Sequence, residues 1–185
     1  MQRTTKETDI QVTLSITGGD VEISTGIGFF DHMLTALAVH SGIGLRLTCK
    51  GDLEVDAHHT VEDCGIVLGQ ALAQALGDKT GVARYGTAQV PMDEALAQTA
   101  IDISGRPFLV FRAQFSQAKA GAFDLCLCEE FFRAFAMNAG ITLHLTLFYG
   151  SNGHHEAEAL FKSAGHALRQ ALQPRAGVLS TKGVI

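Results

Sequence analysis

Two short stretches carry the side chains best suited to chemistry. His58-His59-Thr60-Val61-Glu62 and His154-His155-Glu156-Ala157-Glu158 both read His-His-x-x-Glu. Imidazole with carboxylate suits manganese, iron, zinc or nickel, and the carboxylate keeps manganese in play. On a helix, residues three or four apart share a face, whereas neighbours diverge by about 100°. Glu62 can therefore lie beside His58 or His59, but the two histidines cannot easily bind one ion. Each motif offers ligands in two directions. Two motifs suggest two ions, each assembled from both halves of the chain or from neighbouring subunits. Asp63 competes with Glu62 as a ligand, but Ala159 stands at the matching place, which favours Glu62 and Glu158.

The elements that hold these motifs repeat. Ala38–Thr48 aligns with Ala136–Thr146, and His58–Leu76 aligns with His154–Leu172, with a slightly shorter loop before the second pair. The histidines, the glutamate, one glycine and most of an Ala-Leu-x-Gln-Ala-Leu ending coincide. Internal similarity at a fixed spacing marks duplicated structure, here residues 1–90 and 91–185 as two halves of one compact unit. Periodicity supplies the elements. Residues 9–16 alternate as a strand, and 21–25 read as its hairpin partner across Thr17-Gly18-Gly19-Asp20. Residues 29–40 have helical spacing and stop at Ser41-Gly42; residues 43–50 alternate again; residues 58–77 form a long helix ending at Gly77. The second half repeats this, with strands within 89–114, a helix over 124–138, a strand over 141–149 and a helix over about 153–173. Each half reads β-β-α-β-α, an α+β fold with helices against one face of each sheet.

Composition narrows the function. The chain has 185 residues, 46% hydrophobic and 18% charged, with a net charge of −5 and no Lys/Arg cluster. Nucleic acid and anionic membrane are therefore poor partners. Residues 1–10 lack the apolar core of a signal peptide. Cys49, Cys64, Cys126 and Cys128 form no C-x-x-C pair or disulfide framework. A soluble cytoplasmic protein is expected.

Other residues join the candidates. His144 alternates with Leu143 and Leu145 on a strand and points away from their apolar face, and His32 stands in Phe29-Phe30-Asp31-His32-Met33. His40 and His166 are less specific, and His166 is expected to be solvated. Arg84, Arg106 and Lys182 could hold an anion, since arginine forks match phosphate and lysine adds a point charge. Taken alone, each reads as an ordinary surface charge, although Gly105 and Pro107 place Arg106 in a defined loop.

Together, GIGFFDHML, HHTVED, PMDEALA with DISGRPF, EEFFRAFA with GITLHL, HHEAEALFK with ALRQAL, and STKGVI resemble the imidazoleglycerol-phosphate dehydratase family, in order and over nearly the whole chain. The resemblance implies a duplicated α+β subunit with helices packed between two mostly four-stranded sheets, trimers assembled into a 24-subunit shell, and active sites between subunits holding two manganese ions. It implies that His32, His58, His59, Glu62, His144, His154, His155 and Glu158 are metal ligands. Glu7, in Arg3–Thr8, becomes the acid/base carboxylate that contacts substrate, with Glu62 and Glu158 as further catalytic carboxylates. Arg84, Arg106, Ser180 and Lys182 become the phosphate-binding group, and His32, His40 and Thr181 join them as substrate contacts. Gly28, Thr181 and residues 163–166 depart from the family's usual residues, in loops and a helix flank. Residues 117–128 are the least family-like and are expected to be variable surface.

The implied reaction removes water from imidazole glycerol phosphate to give imidazole acetol phosphate. The proton lost sits on a carbon that no carbonyl activates, so the imidazole ring must act as electron sink. A metal on one ring nitrogen acidifies the other, and loss of the adjacent hydroxyl then gives a diazafulvene-like species. Two other classes remain open from the residues alone. A two-metal phosphoesterase would use the same His/Glu and anion-binding groups, and a non-catalytic assembly protein would use the ions as staples between subunits.

Overall fold

Alternation over residues 8–15 does produce a strand, because every second side chain (Thr8, Ile10, Val12) turns into the interior while its neighbours face solvent. The computed structural model describes residues 1–181 and 183; Lys182, Val184 and Ile185 lie outside the described residues. In the first half, β1 (Gln2–Thr4), β2 (Thr8–Ser15) and β3 (Val21–Ser24) lead into helix α1 (Gly28–Ser41), strand β4 (Gly44–Gly51) and helix α2 (His58–Leu76). In the second, β5 (Tyr85–Met92), β6 (Ala95–Asp102), β7 (Phe108–Arg112), the short pair β8 (Lys119–Ala120) and β9 (Phe123–Asp124), helix α3 (Leu127–Ala139), strand β10 (Thr142–Tyr149) and helix α4 (Gly153–Ala171) follow.

The sheet orders are β1-β2-β4-β3 and β5-β6-β10-β7, so the two halves share one topology. In each, the strand last in chain order (β4 or β10) inserts centrally, antiparallel to one neighbour and parallel to the other. Two corrections follow. Residues 21–24 do not form a hairpin with β2; β3 pairs in parallel with β4 instead. Against two strands expected before the first helix of each half, the first half carries three (β1–β3), and the second carries three in its main sheet (β5–β7) plus the short pair β8 and β9. The passage between halves falls between Leu76 and Tyr85, because β5 already belongs to the second sheet.

Helices lie between the sheets. α2 covers β2 and β4, and α4 covers β5 and β6, while α1 packs on α4 and α2 on α3. The glycine shared by the two repeats makes this possible. A Cβ at Gly69 would sit 2.6 Å from the Phe135 carbonyl oxygen, and one at Gly165 would sit 2.8 Å from that of Leu37. Both first helices stop at a left-handed glycine, Gly42 at φ 74° and Gly140 at φ 66°, the conformation glycine adopts without steric cost. Phe131, Phe132 and Phe161 pack ring against ring at 4.6–5.4 Å in the core. Such pairs add about 0.5–1.5 kcal/mol each beyond area burial.

Residues 117–128 are not simply surface. Phe123, Leu125, Leu127 and Cys128 are buried, and Phe123 packs on Phe29 and Phe30. No helix is long and apolar enough to cross a membrane among the described residues.

Candidate metal centre

Each His-His-x-x-Glu motif opens a helix, and each helix start is fixed by a short polar side chain two residues before the first histidine. The Asp56 carboxylate accepts from the His58 amide at 2.7 Å, and the Asn152 side-chain oxygen accepts from the His154 amide at 3.0 Å. These contacts satisfy amides that a first turn otherwise leaves without partners. Adjacent rings stand 6.2 Å apart between centroids in both motifs, their planes at 87° for His58 and His59 and 76° for His154 and His155, and they reach different partners.

The first histidine of each motif turns to its own glutamate. His58 Nε2 lies 3.7 Å from Glu62 Oε2, and His154 Nε2 lies 3.2 Å from Glu158 Oε2. His32 joins the second pair from α1, its Nε2 3.6 Å from the same Glu158 oxygen. The ligand atoms of His32, His154 and Glu158 all fall within 4.8 Å of one another. Ligand bonds of about 2.0–2.2 Å to a common ion place donors within roughly 4.4 Å of each other, so the trio fits a divalent cation with little adjustment. Thr25 holds His32 in position indirectly, since its amide and hydroxyl both donate to Asp31 at 2.8 and 2.6 Å. The Phe29 ring meets His154 edge-on at 5.1 Å. Beside the trio lies a cleft of about 780 Å³ whose lining includes Phe29, Leu53, Asp56 and Phe123.

The second histidine of each motif turns elsewhere. His59 Nδ1 meets Asp52 at 3.0 Å and its Nε2 lies 3.8 Å from Glu7; His155 Nδ1 meets Glu94 at 2.8 Å and its Nε2 lies 3.8 Å from Asp93. A carboxylate on Nδ1 fixes the ring and leaves Nε2 as the ligand atom. The Asp52 and Glu94 hydrogen bonds raise the two histidine pKa values, and His155 holds the Glu94 carboxyl down at about 2. Burial pushes the Glu158 carboxyl up, but the Lys162 ammonium at 2.7 Å, with His32 and His154, outweighs it and keeps that carboxyl below its ordinary value. Asp63 is committed elsewhere, paired with Arg3 and the Thr8 hydroxyl.

The sequence model of imidazoleglycerol-phosphate dehydratase matches residues 25–168. Proteins of that name from Cereibacter sphaeroides and Acetivibrio thermocellus are 54% and 56% identical, each alignment covering 100% of this chain and 97% of the relative. The chain belongs to the imidazoleglycerol-phosphate dehydratase family. Crystal structures of the dehydratases from Staphylococcus aureus and Pyrococcus furiosus superpose with TM-scores of 0.85 and 0.88 at 45% and 40% identity. They cover 95% and 100% of this chain, and 98% and 100% of their own. The activity is that of a carbon–oxygen hydro-lyase of histidine biosynthesis.

Of the ligands the dehydratase resemblance implies, one chain brings His32, His154 and Glu158 together, sets His58 beside Glu62, and leaves His59 and His155 on separate carboxylates. His144 is exposed on β10, opposite Ala100 and Val110 of its neighbouring strands. Arg84 is not a surface charge. It is 8% exposed, held at φ 74°, and donates through Nε and Nη2 to Asp102 at 2.6 and 3.1 Å and through Nη1 to the Leu179 carbonyl at 2.6 Å. Arg106 is exposed and donates to the same Asp102 at 3.3 Å. Ser180 is half-buried and Thr181 exposed; Lys182 lies outside the described residues. His166 is not solvated but half-buried, with its Nε2 3.1 Å from His40 Nδ1. Sequence reasoning passed over Lys162, although its helical spacing from Glu158 signals the pair. It also passed over Asp52 and Glu94, which no local pattern marks.

Proposed function

We propose that the chain removes water from D-erythro-imidazole glycerol phosphate to give imidazole acetol phosphate at a site holding two divalent cations, manganese by preference and zinc or iron as alternatives. The convergence of His32, His154 and Glu158 on one point carries this reading. These three would hold one ion, and His58 with Glu62 would supply the first ligands of the second. The Nε2 atoms of His59 and His155, together with exposed His144, supply ligands for ions completed between subunits, which fits a 24-subunit assembly of trimers. Bound cations would supply Lewis-acid activation of the substrate imidazole.

The chain's own residues do the rest. Glu7 stands by His59 on the loop between β1 and β2, where its carboxylate would take the carbon-bound proton; position and a suitable pKa are the requirements. Glu62 and Glu158 would act as metal ligands and as further catalytic carboxylates. Lys162 holds Glu158 in its charged form. Arg84, Arg106, Ser180, Thr181 and Lys182 form the phosphate-binding group, with His40 as a further substrate contact. A cytoplasmic enzyme is consistent with the histidine-biosynthesis role.

Protein stripped with EDTA and assayed on imidazole glycerol phosphate should form the ketone only after divalent metal is restored. Equal turnover before and after restoration would end the metal reading. Wild-type turnover in Glu7→Gln would end the proton-transfer role.

A further inference from the structure

Asp102 occupies a central position that the phosphate-binding reading does not by itself use. It is the last residue of β6, flanked by Tyr85 of β5 and Thr142 of β10, so three strands fix its backbone. Its two carboxylate oxygens accept from two arginines. Arg84 donates Nε to Oδ1 and Nη2 to Oδ2, and Arg106 donates Nη2 to Oδ2. Arg84 is itself pinned at both ends. Its backbone amide donates to Ala171 and its carbonyl accepts from Ile103, at 3.0 Å each. The Tyr85 ring lies 4.8 Å from the Arg84 guanidinium carbon. Through Nη1, Arg84 also holds the carbonyl of Leu179, the residue before Ser180.

One negative charge thus stands against two positive ones, and each guanidinium keeps N–H groups that Asp102 and Leu179 do not use. A net positive pair of preset forks matches a phosphate group. We propose that Asp102 is a positioning residue of the phosphate pocket. It fixes the separation and orientation of the Arg84 and Arg106 guanidiniums and, through Arg84, the path of the chain into Ser180. This inference rests on the assignment of both arginines to phosphate.

Asp102→Asn keeps the shape but removes the charge and turns an amide N–H toward an arginine donor. It should raise KM for imidazole glycerol phosphate and the inhibition constant of inorganic phosphate by about tenfold or more, with kcat changed less than about threefold. Asp102→Glu should restore part of both. A purely structural role would lower the unfolding temperature and leave KM and phosphate inhibition unmoved. Folded Asp102→Asn protein with both constants within about twofold of wild type overturns the proposal. If Asp102→Asn does not fold, Asp102→Glu decides on the same constants: a rise of about threefold supports the role, and values within about twofold of wild type overturn it. Arg106→Ala separates the two layers of the argument. If it weakens phosphate inhibition and Asp102→Asn does not, only the positioning role falls. If neither does, the phosphate assignment falls and takes this proposal with it.

Discussion

His40 and His166 meet across α1 and α4 with 3.1 Å between ring nitrogens, and Asn138 and Gln70 meet at 3.2 Å across α3 and α2. By the repeat, His40 stands where Asn138 stands and His166 where Gln70 stands. The two contacts are one contact made twice, once with titratable groups.

Burial, with His166 and Lys162 nearby, holds the His40 pKa below its ordinary 6.5. The unfolded chain therefore takes up this proton at a higher pH than the folded chain. The stability involved is intact above about pH 6.5 and is lost as pH falls from there through the folded-state value. The double variant His40→Asn, His166→Gln copies the pair used by the other half. Its unfolding free energy should fall less than that of wild type between about pH 7.5 and about pH 5.5, measured by urea denaturation. An unchanged difference would locate the acid sensitivity elsewhere.

Gly69→Ala sets two effects against each other. Alanine favours the helix by about 1 kcal/mol. The added Cβ meets backbone atoms, the Phe135 oxygen at 2.6 Å and the Ala139 nitrogen at 2.9 Å, which cannot rotate away. Overpacking of this kind costs about 1–3 kcal/mol, so the variant should be less stable overall. Chemical denaturation gives the answer directly, and a gain in stability would mean that α3 can retreat from α2.

Glu94→Gln removes the carboxylate charge that faces His155 Nδ1 while keeping a similar shape. Losing such an outer partner weakens metal binding by about 10–100-fold. Titration of the stripped protein with Mn²⁺ should show the loss. Wild-type affinity would remove Glu94 from any role at the metal.

Asp63→Asn distinguishes the neighbouring acids of the first motif. Asp63 is buried against Arg3 and Thr8. Its loss should cost about 1–3 kcal/mol of stability, since hydrogen-bonded buried groups are left poorly matched. Metal content, measured by elemental analysis, should stay at the wild-type level, whereas Glu62→Gln should lower it.

The helices and their starting motifs were readable because the information is local. Spacing places Glu62 beside His58, and Gly42 and Gly77 mark where chains leave their helices. The partner of β3 was not readable. Its alternation fits either neighbour, and Thr17-Gly18-Gly19-Asp20 resembles a hairpin turn. In the fold these glycines carry the chain past the start of β4: a Cβ on Gly44 would lie 2.7 Å from the Gly18 oxygen, and the Leu45 amide donates to Asp20. The burial of Arg84 was hidden for a related reason. Its shell is built from Asp102 and Leu179, contacts distant in sequence that only the tertiary fold assembles. His32 reached the metal trio through a family pattern, since nothing in its own neighbourhood points to Glu158.

In the cross-packing of α1 on α4 and α2 on α3, the helical face that each half turns away from its sheet is covered by the other half. A polypeptide carrying one half would expose a helical face and would have to borrow a second copy to hide it, a bimolecular step set by protein concentration. Joining the halves through residues 77–84 makes that encounter intramolecular, at an effective concentration on the order of millimolar whatever the cell contains. The linker also frees the two copies to diverge, so that one contact can become His40 with His166 while its twin stays Asn138 with Gln70.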